Sequence, residues 1–229
     1  MLKTLFYKTL RQVITLSLVG LAIFILAEPT LGLSQTTQST FTISQTVGKE
    51  ISFTTTASNI TMSPASLGGL TGGTSFGSTT VVILTNDHLG YHMTIAASSS
   101  LGMIGNASSS NYIPAYVPSV AGVPDYTFTT PANRAYFGYT VLGSTTADVD
   151  QHFRSNGSNA CATGSTNDGA HCWLNASTTN MYITNSNYYT PASGATTTLV
   201  FRVTISANPA PTIPDDTYVA TTTLTATAN

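Results

Sequence analysis

"TTVVILTNDHLGYHMTIAASSS", residues 79–100, is the stretch on which the fold turns. Two β-rich runs, 79–85 and 91–97, flank the pentapeptide "NDHLG". In the second run Tyr91, Met93, Ile95 and Ala97 share one parity, and His92, Thr94 and Ala96 share the other. A period of two buries one face of a strand. The runs are expected to pair as a hairpin, with Asn86 and Asp87 as turn residues and Gly90 free to take a positive φ. A surface metal site built from Asp87, His88 and His92 is the competing reading. A catalytic zinc takes three protein ligands, and no third strong ligand stands nearby, so the polar tip of a hairpin is the expectation.

The same parity recurs on both sides. Between residues 39 and 56, Phe41, Ile43, Val47, Ile51 and Phe53 all occupy odd positions, and Gly48 marks a break or a bulge. "AYFGYTVLG", residues 135–143, reads as another strand. "TTTLVFRVTISA", residues 196–207, places Leu199, Phe201, Val203 and Ile205 on one side and Arg202 and Thr204 on the other. "TYVATTTLTATAN" ends the chain as a strand with Tyr218, Ala220, Leu224, Ala226 and Ala228 on one parity. Residues 63–78 form a Gly/Ser-rich connection, and long loops are expected at about 98–133 and 144–195. Pro114, Pro118 and Pro124 exclude a long central strand from the first of these. In the second, "TADVDQHF", residues 146–153, is expected to form a helical turn capped by Thr146, with Asp148 and Asp150 near its start. The expected fold is all-β: one antiparallel β-sandwich, immunoglobulin-like or jelly-roll, over residues 33–229.

The address is written at the N-terminus. Lys3, Lys8 and Arg11 precede the apolar run Val13–Ala27, which is shorter than the roughly 20 residues that span a bilayer. Residues 1–32 therefore read as a signal-peptide helix, cleaved after Gly32 or after Ala27, with an uncleaved membrane anchor as the alternative. An extracellular or cell-surface location follows, with membrane contact only through that segment if it stays attached. Residues 33–229 keep four basic side chains (Lys49, Arg134, Arg154 and Arg202) and eight acidic ones, a net charge of −4. Four scattered cations make no basic patch, which excludes nucleic-acid binding. An apolar content of 41% argues against disorder.

The candidate chemistry is sparse. Cys161 and Cys172 are the two cysteines, and in an exported chain they are expected to form a disulfide. With His171 they do not supply four ligands at a zinc spacing. Asp148, Asp150 and His152 suggest calcium binding or acid–base catalysis, but the EF-hand spacing is absent and a solvated helix start is the expectation. Asn167-Asp168-Gly169 reads as a tight turn. Neither a Gly-x-Ser-x-Gly nor a His-Glu-x-x-His motif occurs, and the chain holds two glutamates, Glu28 and Glu50. The expectation is a non-enzyme with no catalytic residue, metal or cofactor, a secreted hydrolase being the lesser reading. Glycosylation sequons stand at Asn59, Asn106, Asn156 and Asn175.

"GGLTGGTSFGSTTVVILTNDHLGYHMTIAAS" and the closing "TYVATTTLTATAN" resemble secreted microbial surface proteins, namely WxL-type wall-associated domains and the camelysin/TasA group of fibre-forming β-sandwiches. The resemblance implies an immunoglobulin-like or jelly-roll sandwich displayed outside the cell. The chain departs from the WxL pattern in carrying one tryptophan, Trp173, followed by Leu174. Two functions are weighed. In the first, a fibre subunit passes its N-terminal strand to a second copy or another surface protein, with Phe41, Ile43 and Val47 filling the neighbour's groove; the plainer alternative pairs that strand within its own domain. In the second, Tyr112, Tyr116, Tyr126, Tyr188 and Tyr189 form an adhesive platform for glycans or a partner protein.

Overall fold

A computed structural model describes Thr9, Arg11, Gln12 and Ile14, which are helical, and residues 37–229. The rest of the expected signal segment and its cleavage site lie outside the described residues. Contacts divide the chain into two units, Met1–Thr46 and Val47–Asn229.

In the first unit, residues 37–46 carry no regular secondary structure, and Phe41 and Ile43 are 82% and 83% exposed. The strand expected from residue 39 begins only at Ile51. An alternating apolar face becomes a strand where a partner takes up its hydrogen bonds, and pairing starts at Ile51 opposite Thr85.

The second unit is all-β, and every ladder between its strands is antiparallel. Its elements in chain order are β1 (Ile51–Thr55), β2 (Gly73–Thr85), β3 (Tyr91–Ala97), β4 (Gly102–Gly105), β5 (Tyr112–Pro114), β6 (Ala135–Gly143), β7 (Leu174–Asn175), β8 (Met181–Ser186), β9 (Ala195–Ile205), β10 (Tyr218–Val219) and β11 (Thr222–Ala228). Three sheets result, ordered β1-β2-β9-β6-β7, β11-β3-β8 and β10-β4-β5. One hydrophobic cluster joins them in a sandwich-like arrangement: Val81, Tyr139, Leu199 and Phe201 from the first sheet, Met93 and Ile183 from the second, and Ile113 from the third.

Alternation explains the layers. Along β9 every odd residue from Ala195 to Ile205 is buried and every even one is half-buried, because sheet geometry turns successive side chains to opposite faces. β6 coincides with the run read from sequence, and Phe137, Tyr139 and Val141 on it are buried.

The hairpin expectation for residues 79–97 fails. Both edges of β2 are taken, by β1 and β9, whereas β3 pairs with β11 and β8. Residues 86–90 therefore bridge from one sheet to another instead of folding a strand onto its neighbour. Gly90 does take a positive φ, 89°, and a Cβ there would lie 2.0 Å from the Ser186 carbonyl oxygen. The closing segment also divides: β10 joins β4, and β11 joins β3, with Ala220 and Thr221 between them.

The long loop regions hold more order than their composition suggested. β4 and β5 lie within 98–133, and β7 and β8 within 144–195. Residues 146–153 form two 3₁₀ turns, Thr146–Asp148 and Gln151–Phe153, in place of one α-helical turn. Asp150 is not solvated: it is buried, caps the second turn through the His152 N–H, and accepts from His152 Nδ1 at 2.5 Å. The turn packs inward because Phe153 is 1% exposed and carries its neighbours with it.

Cys161 and Cys172 are disulfide-bonded, as expected for the two cysteines of the chain. Closing a loop over a separation of 11 residues limits the unfolded chain and contributes roughly 3 kcal/mol. The double substitution Cys161→Ser/Cys172→Ser should lower urea-unfolding stability by about that amount while preserving the β-sheet circular dichroism signal. An unchanged midpoint would show that the bridge does not constrain the unfolded chain.

Candidate functional site

β2 turns Ser75, Gly77, Thr79, Val81 and Ile83 toward the interior. The side chains are large at one end and small at the other. Over the small end the three sheets leave a groove of about 1210 Å³. Its floor includes Val81, Phe137, Leu199, Phe201 and Val203, all buried core residues. One wall is the irregular segment 56–67, the other the run 212–224 leading into β11.

The first wall is held by its own bonds. Ser63 and Phe76 exchange backbone hydrogen bonds at 2.7 and 2.9 Å, and the Ser58 N–H donates to Thr79 Oγ1 at 2.9 Å. Gly77 permits this approach, since a Cβ there would lie 2.4 Å from Ile60 Cγ2. The second wall ends in β11, whose ladder partner on one side is β3 and whose other edge carries no strand among the described residues. The groove thus has an apolar floor and mixed walls, Asp215 and Asp216 among them, and it runs beside the edge of β11 that carries no ladder partner among the described residues.

At the other end of β2 the chain is pinned where it enters the sandwich. Asn86 Nδ2 donates to the Gly48 carbonyl at 2.9 Å, and Asn86 Oδ1 accepts from the Glu50 N–H at 2.7 Å. Thr85 Oγ1 donates to the Glu50 carbonyl at 2.6 Å. Lys49 Nζ lies 2.9 Å from Asp87 Oδ2 and also donates to the Asn229 carbonyl. Asp87 is not the exposed turn residue that its sequence context suggested. Its side chain is fully covered, while that of Lys49 is 54% exposed. The burial follows from the bridge between sheets, which draws residue 87 inward as the chain crosses. Lys49 beside it, with the Leu89 N–H, holds the carboxyl below its ordinary value of 3.8.

The histidines do not converge. His88 lies outside with Nδ1 3.7 Å from Asp87 Oδ1, His92 Nδ1 pairs with Asn229 Oδ1 at 2.9 Å, and His171 Nδ1 pairs with Asp168 Oδ2 at 2.8 Å. Among the described residues no group of three or more His, Cys, Asp or Glu side chains could hold a metal ion.

The tyrosines do not share one surface. Tyr188 and Tyr189 are 73% and 65% exposed, and Tyr112 is 38% exposed. Tyr126 stacks on the His171 ring at 4.0 Å. Tyr116 is buried, stacked on Phe128 at 4.4 Å with its hydroxyl donating to Asp125 at 2.6 Å. It belongs to a satellite core with Phe128 and Trp173, over which the Arg202 guanidinium lies 4.7 Å from the Phe128 ring and 5.9 Å from the Trp173 ring. The loop 115–130 folds back over the even-numbered face of β9, so its rings cover the sheet and are withdrawn from any ligand. The slot escaped sequence reasoning because its walls are irregular; the small residues Ser75, Gly77 and Thr79 in an otherwise bulky parity were the available signal.

Comparison of the chain with family models, curated proteins and solved structures finds no match. Among the described residues no helix is long and apolar enough to cross a membrane.

The Asp87–Lys49 pair makes a pH-dependent contribution whose sign follows from the lowered carboxyl. A carboxyl depressed in the folded state stabilises above its unfolded value and loses that effect as the pH falls through the folded value. The stability difference between wild type and Asp87→Asn should stay constant from about pH 7 to pH 5 and shrink below about pH 4. Urea titrations across that range measure it. A difference that does not shrink below about pH 4 would show that the pair is not its source.

Proposed function

We propose that the chain is an exported, non-enzymatic structural protein of the cell surface that assembles by strand exchange, its N-terminal arm (residues 37–47) entering the slot of a second copy. The observation that carries this reading is the coexistence of an open apolar slot and an exposed segment of matching pattern. Phe41, Ile43 and Val47 are 79–83% exposed and lie on one parity, so an extended arm would present all three to the slot floor. The free edge of β11 would supply the backbone partners, as in other strand additions to an open sheet. The disulfide is compatible with the extracellular location that the N-terminal segment suggests. The architecture is read as a β-sandwich of immunoglobulin-like or jelly-roll kind.

Magnitudes show what such an exchange requires. Burying a Phe, an Ile and a Val contributes roughly 1.5–3 kcal/mol each. Ordering the arm's backbone costs about 1–2 kcal/mol per residue. Side-chain burial alone therefore offsets the ordering of seven residues only at the favourable ends of both ranges. Ladder hydrogen bonds, at roughly 0.5–1.5 kcal/mol each, and a partly pre-extended arm close the gap.

Replacing Phe41 and Ile43 by Asp should abolish assembly without altering the fold, because a carboxylate brought onto the apolar floor is unpaired and faces a wall that already carries Asp215 and Asp216. Mass photometry and negative-stain microscopy of residues 33–229 compare the variant with wild type. A monomeric wild type at micromolar concentration would overturn the reading.

A further inference from the structure

The first sheet carries a single charge. Strands β1, β2, β9, β6 and β7 hold no Asp, Glu, Lys or His, and Arg202 on β9 is their only charged side chain. Its guanidinium is held among three rings, 4.7 Å from Phe128, 5.3 Å from Phe76 and 5.9 Å from Trp173. Strand register explains the arrangement. Phe76 stands directly opposite Arg202 on β2, and Gly138 stands opposite it on β6. The absent side chain at Gly138 lets the loop 115–130 approach, since a Cβ there would lie 3.0 Å from Phe128 and from Tyr116. Arg202 Nε donates to Thr204 Oγ1 at 3.1 Å, and that hydroxyl lies 3.1 Å from Thr74 Oγ1. Rings and hydrogen bond together fix the direction of the guanidinium fork.

Packing alone leaves the charge unexplained, because an aliphatic stem covers rings equally well. Among the described residues no carboxylate pairs with Arg202, and its two terminal nitrogens have no bonding partner. Those nitrogens are not sealed from solvent. The other three cations of residues 33–229 are engaged: Lys49 with Asp87, and Arg134 and Arg154 with backbone carbonyls. Partial burial holds the Arg202 pKa below its ordinary value, so this charge has lost solvent without gaining a counter-ion. A fixed, uncompensated fork matches a carboxylate, whose two oxygens accept from two parallel N–H donors.

We propose that Arg202 and Phe76 form a binding site for a carboxylate-bearing sugar, a uronic acid residue of an acidic polysaccharide. The terminal nitrogens of Arg202 take the carboxylate. The C–H face of the sugar ring lies on the open part of Phe76, which is 44% exposed, because the negative face of an aromatic ring attracts polarised C–H bonds. Hydroxyls flank the pair along the strands. Thr74 and Thr204 stand on one side, Ser78 on the other, and Thr80 and Thr198 beyond it with their Oγ atoms 2.9 Å apart. A phosphate or sulfate cluster calls for several cations, and this sheet has one. An acidic peptide brings the carboxylate without the flat C–H face and hydroxyls that this neutral surface complements. The site uses the even-numbered residues of β2, whereas the groove uses the odd-numbered ones, so it stands whether or not subunits exchange strands.

Affinity electrophoresis tests the site. The purified protein is run in native gels cast with polygalacturonate, alginate, neutral galactan or polyglutamate. Retardation by the uronate polymers and not by the other two is the expected result. The net negative charge of the chain opposes any unspecific hold on a polyanion. Arg202→Met should weaken retention about tenfold, the loss of a charge-assisted pair of hydrogen bonds. Arg202→Lys should lose nearly as much, because an ammonium lacks the fork. Phe76→Ala should weaken retention about fivefold through the lost stacking face. Phe76 is exposed, so Phe76→Ala carries the test if the Arg202 variants do not fold. Equal retardation by galactan or by polyglutamate overturns a uronate site. So does wild-type mobility unchanged by both uronate polymers, or a Phe76→Ala variant retained as strongly as wild type.

Discussion

The eleven-residue ladder between β2 and β9 is the constraint from which the rest of the molecule is built. Its register sets Val81 against Thr197 and Ile83 against Ala195, and so fixes which parity of both strands faces the interior. With β6 on the far side of β9, it forms a continuous floor of Phe137, Tyr139, Val141, Leu199 and Phe201. The second sheet contributes Tyr91, Met93 and Ile183 to the same buried cluster as Val81 and Ile83. At the other half Ser75, Gly77 and Thr79 supply too little volume to fill the space. Interiors otherwise pack as densely as organic crystals, whereas here a groove of about 1210 Å³ stands over an apolar floor.

The ladder also explains why the chain crosses at residues 86–90. A strand with neighbours on both edges has no room for a hairpin partner, so the next strand must seed the opposite layer. The crossing buries Asp87, the burial demands a counter-charge, and Lys49 provides it. The same ion pair pins the beginning of β1. A topological requirement thus becomes an electrostatic one.

The other face of the first sheet follows a different logic. Arg202 projects outward from β9, and the loop 115–130 wraps it in aromatic rings, with Phe128 and Trp173 close against the guanidinium. The long interval between β5 and β6 is therefore a cover for the sheet. Tyr116 is buried in that cover, whereas Tyr188 and Tyr189, between β8 and β9, are exposed.

Much of this was legible in the residues alone. The period-two patterns of 91–97, 135–143 and 196–207 specified strands and their buried faces, because alternation is a local property of extended backbone. The cysteine pair, the scarcity of positive charge and the shared parity of Phe41, Ile43 and Val47 were equally open to reading, whereas the exposure of those three was not. Tertiary structure alone decided which strands pair, since an edge is free or taken only once every other strand has been placed. It turned an expected hairpin into a bridge between sheets, a turn aspartate into a buried ion-pair partner and Tyr116 into core. It also created the slot, for a cavity is the space that no residue fills, and no window of sequence records the distance between two sheets.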